Sequence, residues 1–179
     1  LYSGFGNLFK LIDGAWVQQN TSSLGSGNLE LIHIDPSNDA IIYVANGNKL
    51  YKSTDSGVIF TQAYSAPSNI TSIEVHSTNS SIVYVTTENN FGGVFKSVDG
   101  GTTFTNFAQG LPNIGKNIII HQARNANNPM FLGTNLGVYH RDDTMSAREA
   151  YDINLPNVSV TDLEINLEDA KLIAATYGR

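Results

Sequence analysis

The chain repeats itself, and the length of the repeat limits what it can fold into. "LFK" at Leu8, "LYKS" at Leu50, "VFKS" at Val94 and "VYHR" at Val138 are spaced by 42, 44 and 44 residues. A second series is "LIHIDPSN", "SIEVHSTN", "IIIHQARN" and "DLEINLED". Aligned on Ile34, Val75, Ile120 and Ile165, it is spaced by 41, 45 and 45 residues. A third series is "IIYVAN" from Ile41, "IVYVTT" from Ile82, "MFLGT" from Met130 and "LIAAT" from Leu172. Each unit therefore holds three short apolar, β-branched or aromatic runs. A weaker fourth follows, "FTQAY" from Phe60 and "FTNFA" from Phe104. Turn residues such as "DPSND", "NGN" and "DSG" separate the runs, which read as strands. "SAREAY" from Ser146 is the one helix-like stretch, and it is too short to hold a helix alone.

Four strands in each of several units of this length predict an all-β fold, a β-propeller of four-stranded antiparallel blades. A β-helical solenoid would repeat over a shorter period, and a sandwich would not keep its turns in register. The expected divisions are a partial blade over 1–28, blades over 29–69, 70–114 and 115–157, and a partial blade over 158–179. The first segment reads as the last three strands of a blade and the last segment as the first two. Propellers close at roughly four to eight blades. The chain therefore reads as part of a larger ring, a fragment or processed product of a longer protein. Closure on itself is disfavoured because "LYSG" and "AATYG" both read as second strands.

Composition narrows the partners. Of 179 residues only 15% are charged, the net charge is −6, and the ten Lys and Arg residues form no cluster. The electrostatic term that drives nucleic-acid binding is missing. No apolar run reaches 18 residues, so no membrane-spanning helix is expected. There is no cysteine, which excludes disulfides and thiolate metal sites. No cofactor is expected.

One motif invites a catalytic reading. "KSVDGGTTF" from Lys96 recurs as "KSTDSGVIF" from Lys52. The shared pattern is Ser-x-Asp-x-Gly-x-x-Phe, with Ser53, Asp55, Gly57 and Phe60 matching Ser97, Asp99, Gly101 and Phe104. A shortened version, "LIDGAW", has Asp13, Gly14 and Trp16. It falls in a hairpin turn between third and fourth strands. A carboxylate there can accept turn amides, glycine supplies positive φ, and the aromatic can enter the layer between blades. The pattern resembles the Asp-box, or BNR repeat, of sialidase-type propellers. The resemblance implies a structural turn at the blade edge, away from the ligand-binding face. The fourth unit departs from it: "VYHRDDTMSAREAY" lacks the glycine and the aromatic, so its turn must be built differently. Asp142 and Asp143 read there as a solvated acidic turn, with a calcium site as the alternative.

The sialidase resemblance stops at the scaffold. Its active site would need three converging arginines, and Arg124, Arg141, Arg148 and Arg179 occupy non-equivalent positions. Xyloglucanase-type propellers use two carboxylates across a cleft. Glu30, Glu74, Asp162 and Glu164 fall on first strands, but Glu74 and Glu164 share a repeat position, so a positional cause is simpler. His33, His76, His121 and His140 have no metal-ligand spacing. No catalytic residue and no metal ligand is assigned.

Binding is expected on the face formed by the loops between second and third strands and between blades. Candidates there are Phe5, Asn46, Asn48, Glu88, Asn89, Asn90, Phe91 and Asn135. Amides with exposed aromatics suit a carbohydrate or a protein ligand. The segment "RDDTM…LPNVSVTDLEIN…AATYGR" resembles propeller regions of large surface proteins of gliding bacteria, exported by the type IX route. That resemblance implies a secreted or cell-surface adhesion or scaffold module, and "DTM" at Asp143 matches an O-glycosylation signal of such proteins, at Thr144. The expected function is a non-catalytic binding module. The alternative is a glycoside hydrolase propeller whose catalytic groups lie partly in other blades, and a third reading is a sorting or assembly propeller that binds protein.

Overall fold

The computed structural model describes residues 2–4, 6–19, 22–88, 93–151 and 153–177. It is a β-propeller built from five antiparallel sheets taken in chain order. Sheet I holds β1 (Tyr2–Gly4), β2 (Leu8–Ile12) and β3 (Ala15–Gln18). Sheet II holds β4 (Leu31–Ile34), β5 (Ile42–Asn46), β6 (Lys49–Ser53) and β7 (Thr61–Ser65). Sheet III holds β8 (Ile70–Val75), β9 (Val83–Thr87), β10 (Val94–Ser97) and β11 (Thr105–Asn106). Sheet IV holds β12 (Lys116–His121), β13 (Met130–Thr134), β14 (Gly137–Arg141) and β15 (Glu149–Ala150). Sheet V pairs β16 (Ser159–Asn166) with β17 (Lys171–Tyr177). A 3₁₀ turn at Ser22–Leu24, unpredicted from the sequence, drops Leu24 into the core. The helix-like "SAREAY" is instead the entry to β15, where Glu149 pairs with His140. Among the described residues, no helix is long and apolar enough to cross a membrane.

Apolar layers lie between sheets. Leu8 of sheet I meets Ile42, Val44, Tyr51 and Phe60 of sheet II. Tyr43, Ala45 and Leu50 of sheet II meet Ile73, Val75, Val83 and Val85 of sheet III. Alternation explains this: neighbouring residues of β5 point to opposite faces, and both faces are covered. Tyr84 and Val94 then meet Ile119, Met130 and Leu132, and Phe131 and Val138 meet Val160 and Leu163.

First strands of consecutive sheets adjoin, β4 with β8, β8 with β12 and β12 with β16, yet each sheet keeps its own main-chain ladder. Side chains join one first strand to the next. His33 Nε2 accepts the Val75 amide at 3.3 Å, and Glu74 Oε1 accepts the His121 amide at 2.9 Å. Thr71 Oγ1 donates to the Lys116 carbonyl at 2.8 Å, and Asn117 Nδ2 to the Val160 carbonyl at 2.8 Å. At the outer edge a lysine reaches forward. Lys10 Nζ donates to the Ser56 carbonyl at 3.3 Å, and Lys52 Nζ to the Gly100 carbonyl at 2.9 Å. Tyr43 Oη shares that Gly100 carbonyl, also at 2.9 Å.

The first-strand pocket and the motif turns

The recurring motif builds the same turn twice. In sheet III, Ser97 Oγ donates to Asp99 Oδ1 at 2.7 Å and accepts the Gly101 amide at 2.9 Å. Asp99 Oδ1 also accepts the amides of Thr102 and Thr103, and Thr103 Oγ1 donates to Oδ2 at 2.6 Å. These bonds, that of the Thr103 hydroxyl first, hold the Asp99 carboxyl well below the usual carboxylate range. In sheet II, Ser53, Asp55, Gly57, Val58 and Ile59 repeat the arrangement. Gly101 has φ of 89°, which favours glycine, and a Cβ there would press on Tyr43 Cε1 at 3.1 Å. In sheet I, Asp13 and Gly14 form a tight hairpin with φ of 50° and 81° between the paired Ile12 and Ala15.

The motif aromatics have different fates. Phe60 is buried at 2% exposure, and Phe104 is half-buried against Tyr64 with ring centroids 4.5 Å apart. Trp16, expected in the same apolar layer, is 50% exposed. Each buried aromatic packs against the preceding sheet, and Trp16 has none before it among the described residues. Asp99→Ala should lower the melting temperature by several degrees, because two turn amides and two hydroxyls lose their acceptor together. Thermal unfolding followed by circular dichroism checks this; an unchanged melting temperature would refute it.

In the unit that lacks the motif, Asp142 Oδ1 caps Thr144 through its amide and hydroxyl, at 2.9 and 2.6 Å. Asp143 Oδ2 accepts Asn128 Nδ2 at 2.6 Å. The two carboxylates thus serve separate partners, and Thr144 is exposed. With no motif turn ahead, Lys96 Nζ lies 5.3 Å from the Phe107 ring centroid rather than on a carbonyl. Arg141 and Arg148 converge on that ring too, at 4.2 and 5.1 Å. Arg148 is buried, its guanidinium faces the ring, and burial with the Arg141 charge lowers its pKa to about 10. This meeting of two arginines is at the outer edge, and Arg124 is exposed in the turn after β12. Arg179 lies outside the described residues.

The loop candidates are used within the fold. Asn46 Nδ2 donates to the carbonyls of Leu24 and Ser26, at 2.7 and 3.3 Å. Asn48 Nδ2 donates to the Ala66 carbonyl at 2.9 Å, and Asn135 Oδ1 accepts Asn117 Nδ2 at 3.2 Å. Glu88 pairs through its backbone with Asn69 and Ser68. Phe5, Asn89, Asn90 and Phe91 lie outside the described residues.

The first strands instead enclose a pocket of about 340 Å³, lined by His33, Glu74, His121, Asp162 and Glu164 with isoleucines of β8, β12 and β16. Three of the four first-strand acids therefore meet; Glu30 is exposed just before β4 and does not line it. Glu74 is mostly buried. Burial pushes its carboxyl up to about 8, opposed by the His121 amide and reinforced by the Glu164 charge. It is therefore a protonated acid at neutral pH. His33 Nδ1 lies 3.9 Å from Glu74 Oε2, and burial lowers the His33 pKa despite the charge of Asp35. Asp162 Oδ1 accepts the Leu163 amide at 2.9 Å. The sequence could not reveal this gathering, because it depends on which way each first strand faces. Among the described residues, no group of three or more His, Asp or Glu could hold a metal ion.

No protein-family profile matches the chain. Over 96 residues, 52% of the chain, it is 32% identical to a xyloglucanase of Hypocrea jecorina, of which the match covers 11%. The GH74 enzyme of Niastella koreensis superposes with a TM-score of 0.71 at 21% identity, over 96% of this chain and 30% of that one. The extracellular domain of a hybrid two-component system from B. thetaiotaomicron gives a TM-score of 0.75 at 17% identity, over 99% of this chain and 24% of that one. The chain is thus similar in architecture to part of proteins more than three times its length, and similar in sequence to a short part of a xyloglucanase.

Proposed function

We propose that this chain is a section of the propeller of a secreted glycoside hydrolase that acts on polysaccharide. The identity of 32% with a xyloglucanase over 96 residues carries the reading, and it favours the hydrolase over the non-catalytic module. The motif turns fit the Asp-box reading, since their carboxylates are spent on turn amides. The chemistry of the pocket supports the same direction. Glu74 is held in the protonated form that a proton donor needs at neutral pH, beside the carboxyls of Asp162 and Glu164. Glycoside hydrolysis needs two carboxyls on opposite sides of the scissile bond. All three acids of this pocket lie on first strands of one arc of blades, so at least one catalytic carboxyl is assigned to another part of the protein.

The test is release of reducing ends by the full-length protein from xyloglucan, mixed-linkage β-glucan and cellulose. Turnover on xyloglucan is the expected result. Binding to these polymers without turnover would overturn the hydrolase and leave a binding module, and neither binding nor turnover would overturn both.

A further inference from the structure

We infer that the joint between sheets III and IV carries an acid-sensitive latch, in which the stacked imidazoles of His76 and His121 accept backbone amides only while uncharged. His76 follows β8 and His121 ends β12, and their ring centroids lie 4.1 Å apart. Each uses Nδ1 as an acceptor for a backbone amide. His76 Nδ1 accepts the Thr78 amide within its own turn at 3.3 Å. His121 Nδ1 accepts the Ser77 amide across the joint, also at 3.3 Å. A nitrogen that accepts an N–H carries no proton, so both rings are neutral with the proton on Nε2. His76 Nε2 then donates to Asn128 Oδ1 at 3.0 Å, and Asn128 passes the contact to Asp143.

Protonation reverses the role of Nδ1 from acceptor to donor. At His121 two N–H groups then point at each other across the joint, and the charged ring lies stacked on His76. The surroundings do not cancel this. Glu74 on β8 gives Oε1 to the His121 amide and is itself protonated at neutral pH. Across the pocket, β4 presents His33 and β16 presents Asp162 and Glu164. The turn after β14 offers Asp143, which reaches the rings through Asn128, and the turn after β12 holds the exposed Arg124. Burial first, and the charge of His76 second, lower the His121 pKa to about 4. A lowered histidine pKa gives stability that is present above about 6.5 and is lost as pH falls toward the folded value. The latch therefore opens between roughly pH 6 and pH 4. It opens at the Ser77 and Thr78 amides before the β9 ladder gives way.

The repeat supplies a control. Asp35, His76, His121 and Asn166 occupy one position of the unit. Asn166 Oδ1 caps its turn by accepting the Glu168 and Asp169 amides, at 3.0 and 3.2 Å. Asparagine thus makes the cap without titrating. The experiment is amide hydrogen exchange on the chain between pH 6.5 and 4, corrected for intrinsic rates, on wild type and on the double variant H76N/H121N. In wild type, exchange at Ser77 and Thr78 should accelerate about tenfold or more relative to Val85. The double variant should hold its protection across the range. Equal acceleration in both proteins would overturn the latch, as would unchanged protection in wild type. If the double variant does not fold, imidazole titration by NMR in wild type decides. The loss of Ser77 and Thr78 protection must follow the titration of these two rings, and protection that persists after both have protonated would sink the inference. None of these results depends on what the propeller acts on.

Discussion

Replacing Phe60 by alanine is expected to lower the unfolding free energy by about 3–5 kcal/mol, while the same change at Trp16 should cost under about 1 kcal/mol. The two residues hold matching places in the repeat, but their surroundings differ. Phe60 packs with Leu8, Leu24, Leu29, Ile42, Val44 and Tyr51, residues of two sheets and the turn between them. Its removal leaves a cavity that neither sheet can close alone. Trp16 already shows half of its surface to solvent. Urea unfolding midpoints of the two variants measure the contrast. Similar losses would mean that Trp16 is covered in solution and not half exposed.

Glu74→Gln should change how stability depends on pH. The folded carboxyl titrates near 8 against about 4.5 unfolded, so the native state binds the proton more tightly. Its contribution is fully present below the unfolded value and is lost as pH rises through 8. Relative to the variant, wild type should lose on the order of 3 kcal/mol of stability between pH 5.5 and pH 8.5. Glutamine keeps an oxygen for the His121 amide and cannot ionise, so the variant should show little loss in this window. Parallel curves for the two proteins would refute the shift. The sign is opposite to that of the His121 contribution, which is lost as pH falls.

The sequence made the strands legible because each run is short, β-branched and bounded by turn residues, and because the runs recur in register. The sheets follow that pattern, down to the short fourth strands at Thr105–Asn106 and Glu149–Ala150. What could not be read was set by distance along the chain. Glu74 meets His121 across 47 residues, and His33 meets Val75 across 42. Alternation tells which residues share a face of β8 but not what the next sheet places opposite. The loop amides show the same limit: that the Asn46 side chain reaches Leu24 and the Asn135 side chain meets Asn117 could not be read from the chain. Trp16 was expected between blades on the strength of its motif, and its exposure reflects what surrounds sheet I rather than its local sequence.

The forward reach of Lys10 and Lys52 gives the molecule a direction. Each lysine anchors not its own turn but the turn of the sheet that follows. A change at one of these lysines should therefore loosen the next sheet more than the one that carries it, and damage should travel toward the C-terminal side. The same asymmetry orders synthesis. On the ribosome the partner carbonyl comes late: Ser56 follows Lys10 by 46 residues, and Gly100 follows Lys52 by 48.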